Sequence, residues 1–378
     1  MRLEKYHAVD REQLAKDIDA IERDVISATN MSDFEHLKKI ERWGQACSLI
    51  GYGTAWIIPN PLSAYLISQG NFTRWTTVAH HVMHRGYDRI EGIPKRYTSK
   101  GFARGWRRYL DWIDWMHPEA WDKEHNDIHH YHLGEEVDPD QVEHNMATLR
   151  ASNIPRWGRY MLLAVMAANW KIFYYAPSTL TEYRAIQAKK AGLPVTETTR
   201  AEKWSPFTAV GRDLWLSCLL PYSLVRFIII PALFIPLGAV AATNVLINSL
   251  FAELLTNLHS FLVIGPNHAG EDVLMFEDKS TSKGEFYLRQ IVGSVNYSAG
   301  TNLVDFLHGW LNYQVEHHLW PDMPASQYQK VQPRVKAVCE KHNIPYIQES
   351  VFKRLWKTLD IMVGKTSMLK PEQLTQAS

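Results

Sequence analysis

Long apolar blocks rich in aromatic residues alternate along this chain with charged blocks. The first, "WGQACSLIGYGTAWIIPNPLSAYLISQGNFTRWTTVAHHVMH", starts at Trp43. Pro59-Asn60-Pro61 divides it into two arms of roughly 16–20 residues, near the lower limit for a spanning helix. The divider carries no charge, whereas Lys38, Lys39 and Arg42 precede the block and Arg85, Arg89, Lys95 and Arg96 follow it. Basic residues gather on the cytosolic side of membrane segments, so the pattern predicts a hairpin that enters and leaves on that side. A second hairpin is predicted over 214–264. "LWLSCLLPYSLVRFIIIPALFIP" turns at Pro236-Leu237-Gly238 and returns through "AVAATNVLINSLFAELLTNLHSFLVI". Within it Arg226 needs a partner or must snorkel, and Pro221 and Pro231 predict kinks.

A third block, "WGRYMLLAVMAANWKIFYY" (157–175), is flanked by basic residues on both sides: Arg150 and Arg156 before, Arg184, Lys189 and Lys190 after. Both flanks therefore read as cytosolic, and the block reads as an interfacial helix. The resulting expectation is an all-α integral membrane fold: two transmembrane helical hairpins (four spans), interfacial helices and a cytosolic histidine-rich cap. A cytosolic helical segment is expected at 1–42, the membrane domain at 43–330 and a cytosolic tail at 331–378.

Composition sharpens this picture. A mean hydropathy of −0.27 averages over strong segregation, and 14 Trp with 17 Tyr is the amphipathic aromatic load expected near a bilayer interface. The net charge of +1, without long runs of one sign, argues against nucleic acid as a partner. Cys47, Cys218 and Cys339 are far apart and form no CxxC, which argues against a disulfide framework, a zinc ribbon or a rubredoxin module. The charged opening predicts no cleaved signal peptide. Glycine-rich phosphate loops and a GxSxG elbow are absent.

The chemistry lies in the histidines. Of 17, eight fall in three clusters: "HHVMH" (80–84), "HNDIHH" (125–130) and "QVEHH" (314–318). On a helix, positions i and i+4 share a face about 5–6 Å apart, so His80 with His84, and His125 with His129, can each hold a metal. His130 points about 100° away and can reach a second ion. Gln314, His317 and His318 follow at i, i+3 and i+4. One HxxxH is most often chance or a solvated pair. Three clusters on segments all predicted to be cytosolic point to one shared site. This many imidazoles exceed what one zinc uses, and imidazole suits iron, copper, nickel and zinc. A carboxylate-rich di-iron bundle would bring Glu-x-x-His pairs, a spacing found only at Glu4–His7. A histidine-dominated pair of irons fits better.

HxxxH, HxxxHH and QxxHH, with one hairpin before the first box and another between the second and third, resemble the integral-membrane fatty acid desaturases. "GWLNYQVEHHLWPDMP" is particularly similar to the third box of their front-end and related acyl-lipid or acyl-CoA branch. The resemblance runs from about Trp43 to Pro324. It implies that His80, His84, His125, His129, His130, His317 and His318 are iron ligands and Gln314 a ligand or near neighbour. In "GPNHAGED" it adds His268, with His259 as competitor; His81 is the alternative to His80. His117, His132 and His308 read as structural or supporting, and His7, His36, His144 and His342 as surface residues. Asp88, Asp127 and Glu316 are candidates to orient imidazole N–H groups.

The resemblance further implies two Fe ions, O2 as co-substrate, and removal of two hydrogens from adjacent methylenes of a fatty acyl substrate carried on CoA, ACP or a lipid. It places the active site on the cytosolic side of a bacterial inner membrane or endoplasmic reticulum. The His-Pro-Gly-Gly of a fused cytochrome b5 domain is absent, which implies a separate electron donor of cytochrome b5, ferredoxin or rubredoxin type. Hydroxylation, epoxidation and oxidative decarboxylation share the scaffold, as do carotenoid and sphingoid-base substrates. A metal transporter fits less well, because transporters place ionisable ligands near the membrane midplane.

Overall fold

In the computed structural model, which describes residues 6–371, the chain is mostly helical. Among the described residues strand structure is confined to one pair of two-residue parallel strands, β1 (Asn296–Tyr297) and β2 (Gln348–Glu349), and two isolated bridges. Glu4 and the last seven residues of the tail lie outside the described residues.

Helix α1 (Arg11–Ala28) starts at Asp10, whose side chain caps the Gln13 N–H. Its buried stripe of Leu14, Ile18, Ile21 and Val25 has helical spacing, and the helix packs against the later helices Lys283–Val292 and Ala325–Lys341. A capping box between Asn30 and Asp33 opens α2 (Met31–Ala55). The chain turns at the expected divider, where Asn60 caps α3 (Pro61–Phe72) and Pro61 takes its first position. A π-helical stretch (Thr73–Ala79) continues α3 into the short α4 (His80–Met83). Helices α2 and α3 approach closely at glycines. A Cβ on Gly70 would lie 2.9 Å from the Gly44 carbonyl, and one on Gly51 would lie 2.8 Å from the Ile67 nitrogen.

After α5 (Pro118–Trp121) come α6 (Arg156–Ala167) and α7 (Ala176–Lys190). The predicted interfacial block is therefore a shorter helix followed by a π turn at Lys171–Tyr175. Twelve residues rise about 18 Å, less than the hydrocarbon thickness. Trp157, Met161 and Val165 are exposed along one side of α6. Lys171 is buried, paired with Asp114 and seated 4.2 Å above the Trp75 ring.

Among the described residues two helices are long and apolar enough to cross a membrane: α8 (Ala209–Leu237) and α9 (Ala239–Ile264, running on to Asn267). They turn where the sequence predicts, at Gly238, with φ 108°. Within α8 the chain meets two of its prolines with a π-helical turn, Trp215–Leu219 before Pro221 and Val225–Ile229 before Pro231. Widening there accommodates the missing N–H and the bulk of the ring. Arg226 is buried; its Nη1 lies 3.3 Å from the Tyr52 hydroxyl, and its Nε and Nη2 have no partner among the described residues.

Helix α9 also holds the first hairpin. Asn248 donates to the carbonyls of Ala55 and Ile58 and accepts from the Asn60 N–H, while Asn244 donates to those of Trp56 and Ile57. The first hairpin thus turns beside the middle of α9, well before the level of Gly238.

The rest of the chain forms the cap: α10 (Lys283–Val292), α11 (Asn302–His308), α12 (Gln314–Leu319), α13 (Ala325–Lys341) and α14 (Val351–Met362). Tyr328, Val331, Val335 and Cys339 of α13 share one core with α1, α10 and α12. Two histidines expected at the surface are not there. His36 is half-buried against Trp310 (ring centroids 5.0 Å), and the largely buried His342 is held by Asp17 at 2.7 Å. Both bridge the terminal helices to the cap, a long-range packing that local sequence does not encode.

Candidate metal centre

The three histidine clusters meet at the end of the α3–α4 helix. His80 and His84 lie one turn apart there, with ring centroids at 4.7 Å. The second cluster does not sit on a regular α-helix. His125 lies in a π turn (Asp122–Asn126) and His129 and His130 in a 3₁₀ turn. His125 and His129 still stack at 5.1 Å. His130 is drawn inward and bridges the set, 4.4 Å from His84, 4.8 Å from His317 and 4.3 Å from His318. On α12, His317 and His318 diverge as neighbours on a helix must.

Two all-histidine ligand groups result, and a third, overlapping grouping sets the Asp140 carboxylate beside His125 and His129. His80, His84, His125 and His317 can bring four ring nitrogens within 4.8 Å of one another, and His129, His268 and His318 bring three. His317 thus joins the first group and His318 the second. Gln314 stands beside the second, its Nε2 2.9 Å from His268 Nε2. His268 follows the 3₁₀ turn that ends α9. The competitor His259 points elsewhere, stacked on Phe72 and bound to the Leu307 carbonyl at 2.7 Å. His81 likewise turns away, to the Gly309 carbonyl at 3.2 Å, leaving His80 in the cluster.

The donor chemistry fits metal ions. His318 Nδ1 lies 3.1 Å from the Gln290 amide oxygen and His268 Nδ1 3.1 Å from the Gly293 carbonyl. Both acceptors require the proton on Nδ1, so each Nε2 presents a lone pair. Those two Nε2 atoms face each other at 3.1 Å. Two lone pairs at that distance repel; the Gln314 amide N–H, 2.9 Å from His268 Nε2, can meet one of them, and a cation held between the rings meets both. In the first group His80 Nε2 and His317 Nε2 lie 3.0 Å apart, and His84 Nε2 is buried without a partner. Burial and neighbouring imidazoles push His125, His130, His317 and His318 well below the usual histidine range. Neutral imidazole is the form that binds metal.

The supporting hydrogen bonds come from residues that sequence spacing did not reveal. Asp138 accepts from His129 Nδ1 at 2.8 Å, and its other oxygen takes the Gly134 N–H. Tyr328 on α13 lies 3.1 Å from His317 Nδ1 and Gln290 on α10 holds His318. The three candidates named from sequence are occupied elsewhere. Asp88 binds Ser99, Asp127 pairs with Lys123, and Glu316 takes Asn296 and Tyr346. Burial raises the Glu316 carboxyl to about 7. His132 binds Glu135, His308 the Val304 carbonyl, and His117 stacks on Tyr183.

Two openings reach the histidines. A narrow apolar cavity lined by Leu163, Met166, Phe261, Ile264, Leu311 and Met362 ends at His80, His125, His129, His268 and Gln314. On another side a cleft bordered by Arg85, Tyr131, Trp320 and Asp322 reaches His84, His130 and His318. An apolar channel leading to a buried imidazole cluster is suited to a long acyl chain.

The fatty acid desaturase family model matches residues 54–350. The chain belongs to the fatty acid desaturase family. Among curated relatives of this desaturase is the NADPH-dependent stearoyl-CoA 9-desaturase of Mycobacterium tuberculosis, 24% identical over 360 residues, 93% of this chain and 79% of the relative. A Delta(8)-fatty-acid desaturase of Borago officinalis is 32% identical over 109 residues, 29% of this chain and 23% of its own length. A Delta(5) fatty acid desaturase A of Dictyostelium discoideum is 26% identical over 161 residues, covering 39% and 35%. The desaturase is thus an enzyme of fatty acid metabolism that introduces double bonds into fatty acyl chains, with histidine groups that can hold metal.

Proposed function

We propose that this desaturase acts on a long-chain fatty acyl substrate, taken from CoA, ACP or lipid, at a pair of iron ions. His80, His84, His125 and His317 hold one; His129, His268 and His318 hold the other; His130 lies between the groups and Gln314 beside the second. The opposed Nε2 atoms of His268 and His318 carry this reading. Bound iron supplies the O2-dependent oxidising power, and the chain supplies position and insulation. Leu163, Met166, Phe261 and Ile264 hold the acyl chain straight and exclude water. The depth of the cavity selects which methylenes stop opposite the histidines, because methylenes differ little in chemistry. Asp138, Gln290 and Tyr328 fix the ring orientations.

Four spans, in two hairpins, carry the centre on the cytosolic side of the membrane; the basic flanks of the first hairpin and the uncharged dividers of both support this. A separate electron donor, of cytochrome b5, ferredoxin or rubredoxin type, approaches over the cleft at Arg85, Tyr131 and Trp320. That cleft supports the reading because it reaches His84, His130 and His318 without crossing the acyl cavity.

The test is lipid profiling by gas chromatography–mass spectrometry of membranes expressing wild type or His317→Ala, with acyl substrates and a redox partner supplied. A double bond that appears only with wild type supports the reading and gives its position. A mutant-sensitive hydroxy acid or terminal alkene moves the chain to another reaction of the same scaffold. Purified protein without iron overturns the metal assignment.

A further inference from the structure

A second cavity, apart from the histidines, opens beside the first hairpin. Gln45 and Ser48 of α2 and Arg74 of the π-helical stretch after α3 line it, together with Arg96, Arg107 and the acids Glu41 and Asp111. The acids are already committed. Glu41 accepts from the Tyr97 hydroxyl at 2.7 Å and pairs with Lys38 and Arg96. Asp111 takes Arg107 in a two-bond fork at 2.9 and 2.7 Å. Among the charged residues of the lining, Arg74 alone has no hydrogen bond or ion pair among the described residues, and it is half-buried. Arg226, itself buried with two unpartnered nitrogens on the candidate span α8, lies within electrostatic range and adds to the positive field.

An arginine keeps its proton throughout the ordinary pH range. A half-buried guanidinium without a protein partner, facing a cavity, is placed to take an anion from outside the chain. Its planar fork matches phosphate oxygens, and Ser48 and Gln45 offer further polar atoms. One edge of the cavity is apolar: Leu110 lines it and is 56% exposed, with Val78 and Phe102 also on the wall. A phosphate with hydrocarbon attached satisfies both halves. We infer that this cavity binds the phosphate headgroup of a bilayer phospholipid, with Arg74 as its principal cation and the acyl chains leaving past Leu110. The site is separate from the metal centre and does not depend on the reaction carried out there.

The test measures phospholipid retained by the full-length protein purified in mild detergent, by mass spectrometry, for wild type and Arg74→Gln. Thermal stability of delipidated wild type is then followed with added phosphatidylglycerol or with inorganic phosphate alone. About one phospholipid per wild-type chain, at least tenfold less on Arg74→Gln, and a melting temperature raised by phosphatidylglycerol but not by inorganic phosphate are expected. An equal rise with inorganic phosphate makes the ligand a free anion and overturns the lipid assignment. No retained lipid and no rise on wild type overturns the site altogether. The wild-type measurements stand even if Arg74→Gln does not fold, and Arg74→Lys, which keeps the charge, is expected to retain lipid.

Discussion

His268 and His318 face each other through their Nε2 atoms at 3.1 Å while each Nδ1 is turned toward a carbonyl-type oxygen. Protonation of the outer nitrogen is dictated by those oxygens, so the inner pair is left as two opposed acceptors. If the proposed pair of irons is bound, His268→Ala is expected to remove roughly one of the two and to abolish desaturation, since the second group has only three imidazoles. His259→Ala, by contrast, is then expected to leave the metal content unchanged. Metal content of the purified variants decides; equal loss in the two would move the second group.

Asp138 sits behind His129 as His268 sits before it. Replacing the carboxylate by Asn removes the charge that orients the imidazole and weakens its hydrogen bond. A loss of about 10–100-fold in activity or iron affinity is expected for Asp138→Asn. Asp127→Asn, which breaks only a pair with Lys123, is expected to leave both unchanged. Turnover and iron titration on the same preparations separate the two cases.

Leu163 and Met362 narrow the apolar cavity from α6 and α14. Leu163→Trp shortens the space available to the acyl chain. The variant is expected to favour shorter substrates, or to move the double bond relative to the carboxyl end, with iron content unchanged. Product analysis across acyl lengths checks this; an unaltered chain-length profile would place the substrate elsewhere.

The first hairpin depends on bare backbone at its crossing. A Cβ on Gly70 would come within 2.9 Å of the Gly44 carbonyl, and the Ser48 side chain is closer still. Gly70→Ala is expected to cost about 1–3 kcal/mol, read as a lower melting temperature in detergent. Gly53→Ala, where a Cβ meets nothing within 4 Å, serves as control.

Asp17 ties α1 to the end of α13 through Lys341 at 2.6 Å and His342 at 2.7 Å. These hydrogen bonds, Lys341 first, hold its carboxyl down at about 2. A carboxyl lowered below its unfolded value near 3.9 adds stability above that pH, and the contribution is lost as pH falls toward 2. Asp17→Asn is expected to destabilise by about 1 kcal/mol or less at neutral pH, with the difference closing between about pH 4 and 2. Paired unfolding curves across that range give the answer.

Both hairpin turns, at Asn60 and Gly238, were legible in the sequence because proline, glycine and an uncharged divider act locally. The histidine clusters were legible too, since a metal site needs several imidazoles and few other uses gather so many. Helical spacing placed His80 beside His84 correctly. It misjudged the surroundings of His125 and His130, which stand on π and 3₁₀ turns shaped by packing. The choices between His268 and His259, and between His80 and His81, hung on which side chain faced a distant carbonyl, Leu307 or Gly309. No local rule fixes that. Asp138, Gln290 and Tyr328 carry no signature either: any buried oxygen of suitable geometry orients an imidazole, whatever its place in the chain. The sequence by itself determined the helical class, the turns and the ligand types, which follow from the chemistry of single residues and their near neighbours. Only the tertiary structure decided which nitrogens oppose, which acids support them and where the cavities open. Those are contacts between helices up to hundreds of residues apart.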